Sequence, residues 1–328
     1  MSKVILYTPS IATSNVGDRI IYQYCSSAIR KMFSSDALIE LPTQIPASNK
    51  ILNRFKDVDK RFICGSNLLQ SNMFFALSRC GIATHAIRQW DISLSTARKY
   101  APAILLGCGW QNYSENINLY TKALWRKILS KDYIHSVRDN YTLEKLKSIG
   151  IDNVINTGCP TTWALTPEFC KSIPTGKAPN AIVTITDYRQ DIRSDEKMLC
   201  TVIENYDKVW LWLQGVEDRK YFEQFSNGIK DKVILVAPQL ESYNEILLNN
   251  DVDYIGTRLH GGIHALNNKK RTIIIGVDNR AIEIQRDINL NVIKRSDLEY
   301  LQTEIYSEKV ADIKIPTDNI ALFLNQFK

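Results

Sequence analysis

The sequence has no apolar run approaching the roughly 20 residues that a bilayer span requires. Its first residues, MSKVILYTPS, hold only a five-residue apolar run before a proline, too short for a signal-peptide core and readable as a buried strand. There is no CxxC pair among the seven cysteines at 25, 64, 80, 108, 159, 170 and 200. An odd, scattered set argues against a disulfide framework or a zinc ribbon and suits reduced, mostly buried thiols in a cytoplasmic protein. GxGxxG, GxxxxGK[ST] and HExxH are all missing, as are RNP-like, zinc-finger and basic-zipper patterns. Neither sign of charge dominates: 41 Lys and Arg against 35 Asp and Glu leave +6. That surplus favours anionic substrates or an acidic membrane face, but it is too diffuse to argue for nucleic acid.

What the chain does have is rhythm. Short β-rich runs alternate with amphipathic stretches of helical length: KVILYT (3–8) precedes DRIIYQYCSSAIRKMF (18–33), and RFICG, AILLGCG, YIHSV and NVINTG follow. NYTLEKLKSIGI reads as a short helix stopped by Gly150. At TPEFCKSIPTGKAPN, three prolines and a glycine interrupt the pattern, which restarts with AIVTITD, KVWLWLQ, KVILVAP, VDYIGT and RTIIIGV. The expected architecture is α/β: residues 1–168 as one Rossmann-like domain, 169–180 as a linker, and 181–328 as a second such domain facing the first across a cleft.

The chemistry concentrates in YIGTRLHGGIHAL, 254–266. Arg258 falls at the carboxyl end of an expected strand, and His260, Gly261 and Gly262 fall in the first turn of a helix. Free N–H groups and the helix dipole make such a turn hospitable to anions. Arg258 adds a planar fork for carboxylate or phosphate, and His260 titrates near neutral pH. The two glycines are expected to let a ligand approach the backbone. A simpler reading makes His260 a cap or a core residue, and a third makes His260 and His264 a metal pair, for which Asp278 is the only obvious carboxylate nearby. SNVGDR, 14–19, lies between the first strand and helix. There Asn15 or Asp18 either caps the helix or meets a sugar hydroxyl. In SVRDNYTLEKL, 136–146, Arg138 ends a strand and Asp139 starts a helix, as a ligand site or as a plain surface pair.

In order, NVGD (15–18), ICGSNLL (63–69), LLGCG (105–109), SVRDNYTLEKLKSIGI (136–151) and GTRLHGGIHAL (256–266) resemble the polysaccharide pyruvyl transferase family along nearly the whole chain. The last two segments carry most of the resemblance. It implies a GT-B-like pair of Rossmann-like domains. It also implies transfer of a pyruvyl group from phosphoenolpyruvate to a sugar as a cyclic ketal, with release of phosphate. His260 would then be the general acid or base. Arg138, Arg258, Leu259 and Arg280 would bind the donor, with the two arginines of different domains clamping it, and Asn15, Gly17 and Asp18 would line the acceptor side. No cofactor or metal is implied. The acceptor would be a nucleotide- or lipid-linked sugar, and lipid linkage would bring the protein to the inner membrane face, where RKMFSS and NNKKR offer peripheral contact with anionic headgroups.

The chain departs from the family in places. Lys269, Lys270 and Arg271 stand where a Gly-x-Pro turn is usual, Cys159 stands where an acid is common, and Arg280 stands where a lysine is expected. Arginine keeps the charge of lysine without its capacity to give up a proton. Two other readings compete: a GT-B-like glycosyltransferase that uses a nucleotide-sugar donor, and a catalytically inactive sugar-phosphate-binding protein.

Overall fold

Strands buried on both faces read as unbroken aliphatic runs, and KVILYT, with five of six residues buried, is one. In the computed structural model, residues 2–45, 47–74, 89–90, 92–113 and 116–328 are described. Cys80 lies outside them. They form two compact units: Met1–Thr13 with Ile21–Pro160 and Pro316–Lys328, and Ser14–Ile20 with Thr161–Ile315. Both units are discontinuous in sequence, whereas the linear reading (1–168, 169–180, 181–328) treats each domain as one run. The Pro-rich stretch is packed: Thr166 caps the short helix Pro167–Cys170, and Cys170, Ile173 and Ala178 are buried.

In the first unit, β2 (Ala37–Pro42), β1 (Lys3–Thr8), β3 (Lys60–Cys64) and β4 (Ile104–Leu106) form a parallel sheet in that order. Strands β5 (His135–Val137) and β6 (Val154–Asn156) pair in parallel beside it. Between β4 and β5 side chains supply part of the ladder, beside the backbone bridge of Cys108 with Val137. Leu105 donates its N–H to His135 Nδ1 at 3.2 Å, and Gly107 donates to Ser136 Oγ at 2.9 Å. Because Nδ1 accepts, the proton of the ring sits on Nε2, which donates to the Ser130 carbonyl at 2.9 Å. Burial holds this histidine neutral, with its pKa down to about 4. The helix Val16–Met32 covers the sheet through Ile21, Cys25 and Ile29, each a turn apart and buried.

The end of the chain returns to this unit for a physical reason. Phe327 packs on Phe62 and Phe33, with ring centroids 5.3 and 5.7 Å away, and Gln326 brackets Ile134 with two hydrogen bonds to its backbone. Five cysteines (25, 64, 108, 159 and 170) are buried and Cys200 is exposed. Burial raises the thiols of Cys25, Cys64 and Cys108, which keeps them protonated and unreactive.

The second unit holds six parallel strands in the order β12 (Val292–Lys294), β11 (Thr272–Gly276), β10 (Val252–Gly256), β7 (Asn180–Thr184), β8 (Val209–Trp212) and β9 (Ile234–Val236). Read from β7, this is the doubly wound order in which the chain runs outward on one side, then crosses back to the other. Its switch point lies between β7 and β10, where such sheets bind ligands.

One expectation is corrected here. Within the NNKKR cluster Arg271 is not available to a headgroup, because it is buried in the fold. It pairs with Asp253 at 2.7 Å and donates to the carbonyls of Glu304, Ile305 and Ser307. Lys270 is spent on the carbonyl of Asn250. Among the described residues no helix is long and apolar enough to cross a membrane.

Candidate active site

The strand β10 ends in Gly256, and its carbonyl edge delivers Thr257 and Arg258 to the switch point. A closed cycle of hydrogen bonds fixes Arg258. Its N–H donates to Thr184 Oγ1 (3.2 Å), that hydroxyl to Tyr254 Oη (2.6 Å), and the phenol to the Arg258 carbonyl (2.7 Å). Each member polarises the next, so the cycle is stronger than its parts. A Cβ on Gly256 would lie 2.3 Å from Thr184 Oγ1, so only glycine leaves room for it.

From this anchor the Arg258 side chain runs buried along the carboxyl ends of the sheet. Its Nε donates to the Ile185 carbonyl at 2.9 Å. Its Nη2 meets Asp187 at 2.7 Å and also Asp218, a residue with no exposed surface. Burial opposes the Arg258 charge, but Asp218, Tyr188 and Asp187 outweigh it and hold its pKa above the ordinary value. Burial raises the pKa of Asp218 in spite of Arg258. Asp218 also accepts the N–H groups of Gly215 (2.7 Å) and Asp187 (3.2 Å), tying together the loops after β8 and β7. The guanidinium is therefore charge-paired within the protein, which differs from the free anion fork expected from sequence.

Arg280 comes to the same place from the turn after β11. It pairs with Asp278, Nε lying 3.1 and 2.9 Å from the two carboxylate oxygens, and its Nη2 donates to the hydroxyl of Tyr188. The Arg258 guanidinium lies 5.0 Å from the centroid of the Tyr188 ring, and that of Arg280 lies 5.5 Å away. Both are within the range of cation–π attraction. Tyr188 thus joins two arginines that sequence singled out separately, and it stays 48% exposed.

The NVGD segment belongs to this unit and reaches the same edge. Asn15 bridges Gly215, Val16 donates to the Gln214 carbonyl (3.0 Å), and Gln214 Nε2 donates to Asn15 Oδ1 (2.8 Å), which also accepts from Gly17 N (2.9 Å). A Cβ on Gly17 would sit 2.7 Å from Gln214 Nε2. Asp18 is buried in the first turn of the helix. Gln214 is buried too, and among the described residues its Oε1 has no hydrogen-bond partner.

The helix Leu259–Asn267 starts at Arg258. Leu259 and His260 are buried in its first turn. The glycines that follow serve packing, where an opening for a ligand was expected. A Cβ on Gly262 would lie 2.7 Å from Ile274 Cγ1 and 2.8 Å from Tyr254 Cε1, and one on Gly261 3.0 Å from Gln214 Oε1. His264 lies further down the helix, 2.7 Å from Asn244 Oδ1, with its pKa lowered to about 4 by burial. Among the described residues no group of three or more His, Cys, Asp or Glu is placed to hold a metal ion.

Arg138, in the first unit, is 2% exposed and pairs with Asp139 at 3.1 Å. Asp139 caps the helix Asn140–Lys147 through Thr142. The Arg138 guanidinium packs against Gly109, whose Cβ would fall 2.2 Å from Cζ, and its Nη2 has no hydrogen-bond partner among the described residues. Sequence reasoning missed Asp187, Tyr188, Gln214 and Asp218. Their one signal is position: each lies within six residues of the end of β7 or β8, the two strands on one side of the switch point.

Comparison with known proteins agrees with this geometry at the level of fold and family. The chain is similar in structure to Methanocaldococcus jannaschii UDP-GlcNAc 2-epimerase, solved in complex with UDP-GlcNAc and UDP, at 11% identity and a TM-score of 0.55 over 99% of each chain. It is similar to S. aureus MnaA in a co-structure with UDP, at 11% identity and a TM-score of 0.51, over 100% of this chain and 97% of that one. These likenesses show a GT-B-like fold of two Rossmann-like units. Among curated proteins none matches the chain. The family model described as polysaccharide pyruvyl transferase matches residues 15–279, a span that runs from NVGD past Asp278. The chain belongs to the polysaccharide pyruvyl transferase family.

Proposed function

We propose that the protein transfers the pyruvyl group of phosphoenolpyruvate to two hydroxyls of a nucleotide- or lipid-linked sugar, forming a cyclic ketal in a surface-polysaccharide precursor. The observation that supports this most is the meeting of Arg258, Arg280 and Tyr188 at the switch point, beside the helix that begins with Leu259 and His260. Phosphoenolpyruvate carries a carboxylate and a phosphate close together, so its site needs cations and helix N–H groups in one place. Leu259 would offer backbone to the donor, and Asn15, Gly17 and Asp18 would face the sugar. Arg138 is proposed for the donor on grounds internal to its own unit: a buried Nη2 that an anion would satisfy.

The reaction adds a proton to the methylene carbon, which leaves an oxocarbenium-like centre at C2. One sugar hydroxyl attacks that centre and loses its proton, and a second hydroxyl then displaces phosphate. The two hydroxyl protons balance the one gained by carbon and the one carried off with phosphate. His260 would move one of them.

A thermal-shift titration tests the donor, with phosphoenolpyruvate run beside UDP, GDP and CMP and Arg280→Met as the control. Ligand at ~100 times its dissociation constant stabilises by about 2.7 kcal/mol. A shift with phosphoenolpyruvate that shrinks in the variant is the expected result. A shift with a nucleotide alone would replace this reading by a nucleotide-sugar glycosyltransferase on the same fold.

A further inference from the structure

We infer that Tyr188 is a second acid–base group, giving its phenolic proton to the methylene carbon of the donor while His260 takes the proton of the attacking sugar hydroxyl. The inference rests on the pyruvyl-transfer reading above and deepens it. That chemistry needs a proton delivered to the methylene carbon and another removed from a hydroxyl that attacks the neighbouring C2. The two atoms lie at different places on the donor, so two groups in position serve the two transfers better than one imidazole that must reach both. Arg258 and Arg280 cannot be the second, since arginine does not release its proton in proteins.

Tyr188 meets the requirement on geometry. It is 48% exposed at the switch point, so a ligand can reach it. Arg280 only donates, so its bond to Tyr188 occupies a lone pair of the phenol oxygen and leaves the O–H free to point at a ligand. When that proton leaves, the phenolate oxygen already holds a charged hydrogen bond from Arg280, and the ring lies near the Arg258 guanidinium. Asp278 fixes Arg280 in place for this task.

In the step, the π pair of the donor takes the Tyr188 proton to form the new C–H bond, and the O–H bond breaks to leave phenolate. The first hydroxyl attacks C2 and passes its proton to His260. The second hydroxyl then displaces phosphate, returning its proton to Tyr188, and His260 protonates the departing phosphate. Both groups end as they began.

Tyr188→Phe keeps the ring and its packing near both guanidiniums and removes the hydroxyl, and with it the transferable proton and the acceptor of the Arg280 hydrogen bond, while Asp278 still holds Arg280. The experiment incubates protein and phosphoenolpyruvate in D2O with a panel of p-nitrophenyl hexopyranosides, with water as the fallback nucleophile. Deuterium at C3 of recovered donor and product is read by NMR, and donor affinity by calorimetry. The expected result is C3 labelling slowed at least ~100-fold in the variant, with donor affinity unchanged within about threefold and an unaltered melting temperature. Labelling by the variant within about threefold of the unaltered protein would overturn the assignment. So would labelling that falls only in step with donor affinity, or an unaltered protein that binds phosphoenolpyruvate yet never labels C3. Failure of the unaltered protein to bind phosphoenolpyruvate at all is a different result, which removes the pyruvyl reading and this assignment with it.

Discussion

Arg258 Nη2 donates to Asp187 Oδ1 at 2.7 Å, and of the two carboxylates on that guanidinium Asp187 is the one with surface, 20% of its side chain against none for Asp218. An anionic ligand seeking Arg258 must therefore compete with Asp187. Asp187→Asn keeps an oxygen on the guanidinium and removes the competing charge. Calorimetry should show phosphoenolpyruvate binding tightened about three- to tenfold, equivalent to roughly 1 kcal/mol, with stability changed by less than about 1 kcal/mol. Weaker binding would mean that Asp187 orients Arg258 for the ligand. Asp218 is a different case. Asp218→Ala removes the fully buried partner of Arg258, leaving the partly exposed Asp187, and should cost about 3 kcal/mol.

The glycine pair separates packing from ligand access. Helix propensity favours Ala over Gly by about 1 kcal/mol. At Gly262, though, the new methyl would fall 2.7 Å from the Ile274 Cγ1 methylene and 2.8 Å from the Tyr254 ring. Overpacking of that kind costs about 1–3 kcal/mol, so Gly262→Ala should lower stability in a urea titration. A stable variant that had lost only ligand affinity would restore the role expected from sequence.

That pair also shows where sequence reading runs out. The central strands were legible because burial on both faces leaves aliphatic runs such as KVILYT and RTIIIGV. β2 (ALIELP) and β12 (VIK) were not, because each is a half-buried edge strand, β2 interrupted by Glu40 and β12 only three residues long. The Arg-Leu-His corner was legible as chemistry because its residues are adjacent in sequence. Its counter-charges were not, since Asp187 and Asp218 lie 71 and 40 residues away along the chain. Only the strand order brings them to one edge. The packing of Gly262 was hidden for the same reason: local pattern cannot tell a glycine facing a ligand from one facing Ile274.

Gly109 and Arg138 should behave as one unit. A methyl at Gly109 would fall 2.2 Å from Cζ and Nη2 of the guanidinium and displace Arg138 from its place beside Asp139. Gly109→Ala and Arg138→Ala are each expected to weaken phosphoenolpyruvate binding by about tenfold or more, which is about 1.4 kcal/mol. The double variant should be no worse than either, because contacting residues are not additive. Additive losses in that cycle would show two independent effects and detach Arg138 from the role its position over Gly109 suggests.

Two buried histidines set a pH dependence whose sign follows from their neutrality. His135 and His264 are each lowered by burial to about 4, against about 6.5 in an unfolded chain. As pH falls through 6.5 the unfolded state takes protons first. Their contribution is therefore whole above that pH and is lost progressively down to about 4, roughly 3 kcal/mol for each. Asp195 runs the other way: burial lifts it to about 6, so protonation of the folded state adds stability over the same range. The net slope mixes these terms, and a single substitution isolates one of them. Between pH 7.5 and 5.0 the unaltered protein should lose about 2 kcal/mol more than His264→Gln does, measured by urea titration at both pH values. Equal losses would mean that His264 titrates in the folded protein as it does in the unfolded chain, and a smaller loss in the unaltered protein than in the variant would mean that it stays protonated when folded, as a charged donor to Asn244 Oδ1 one turn below His260.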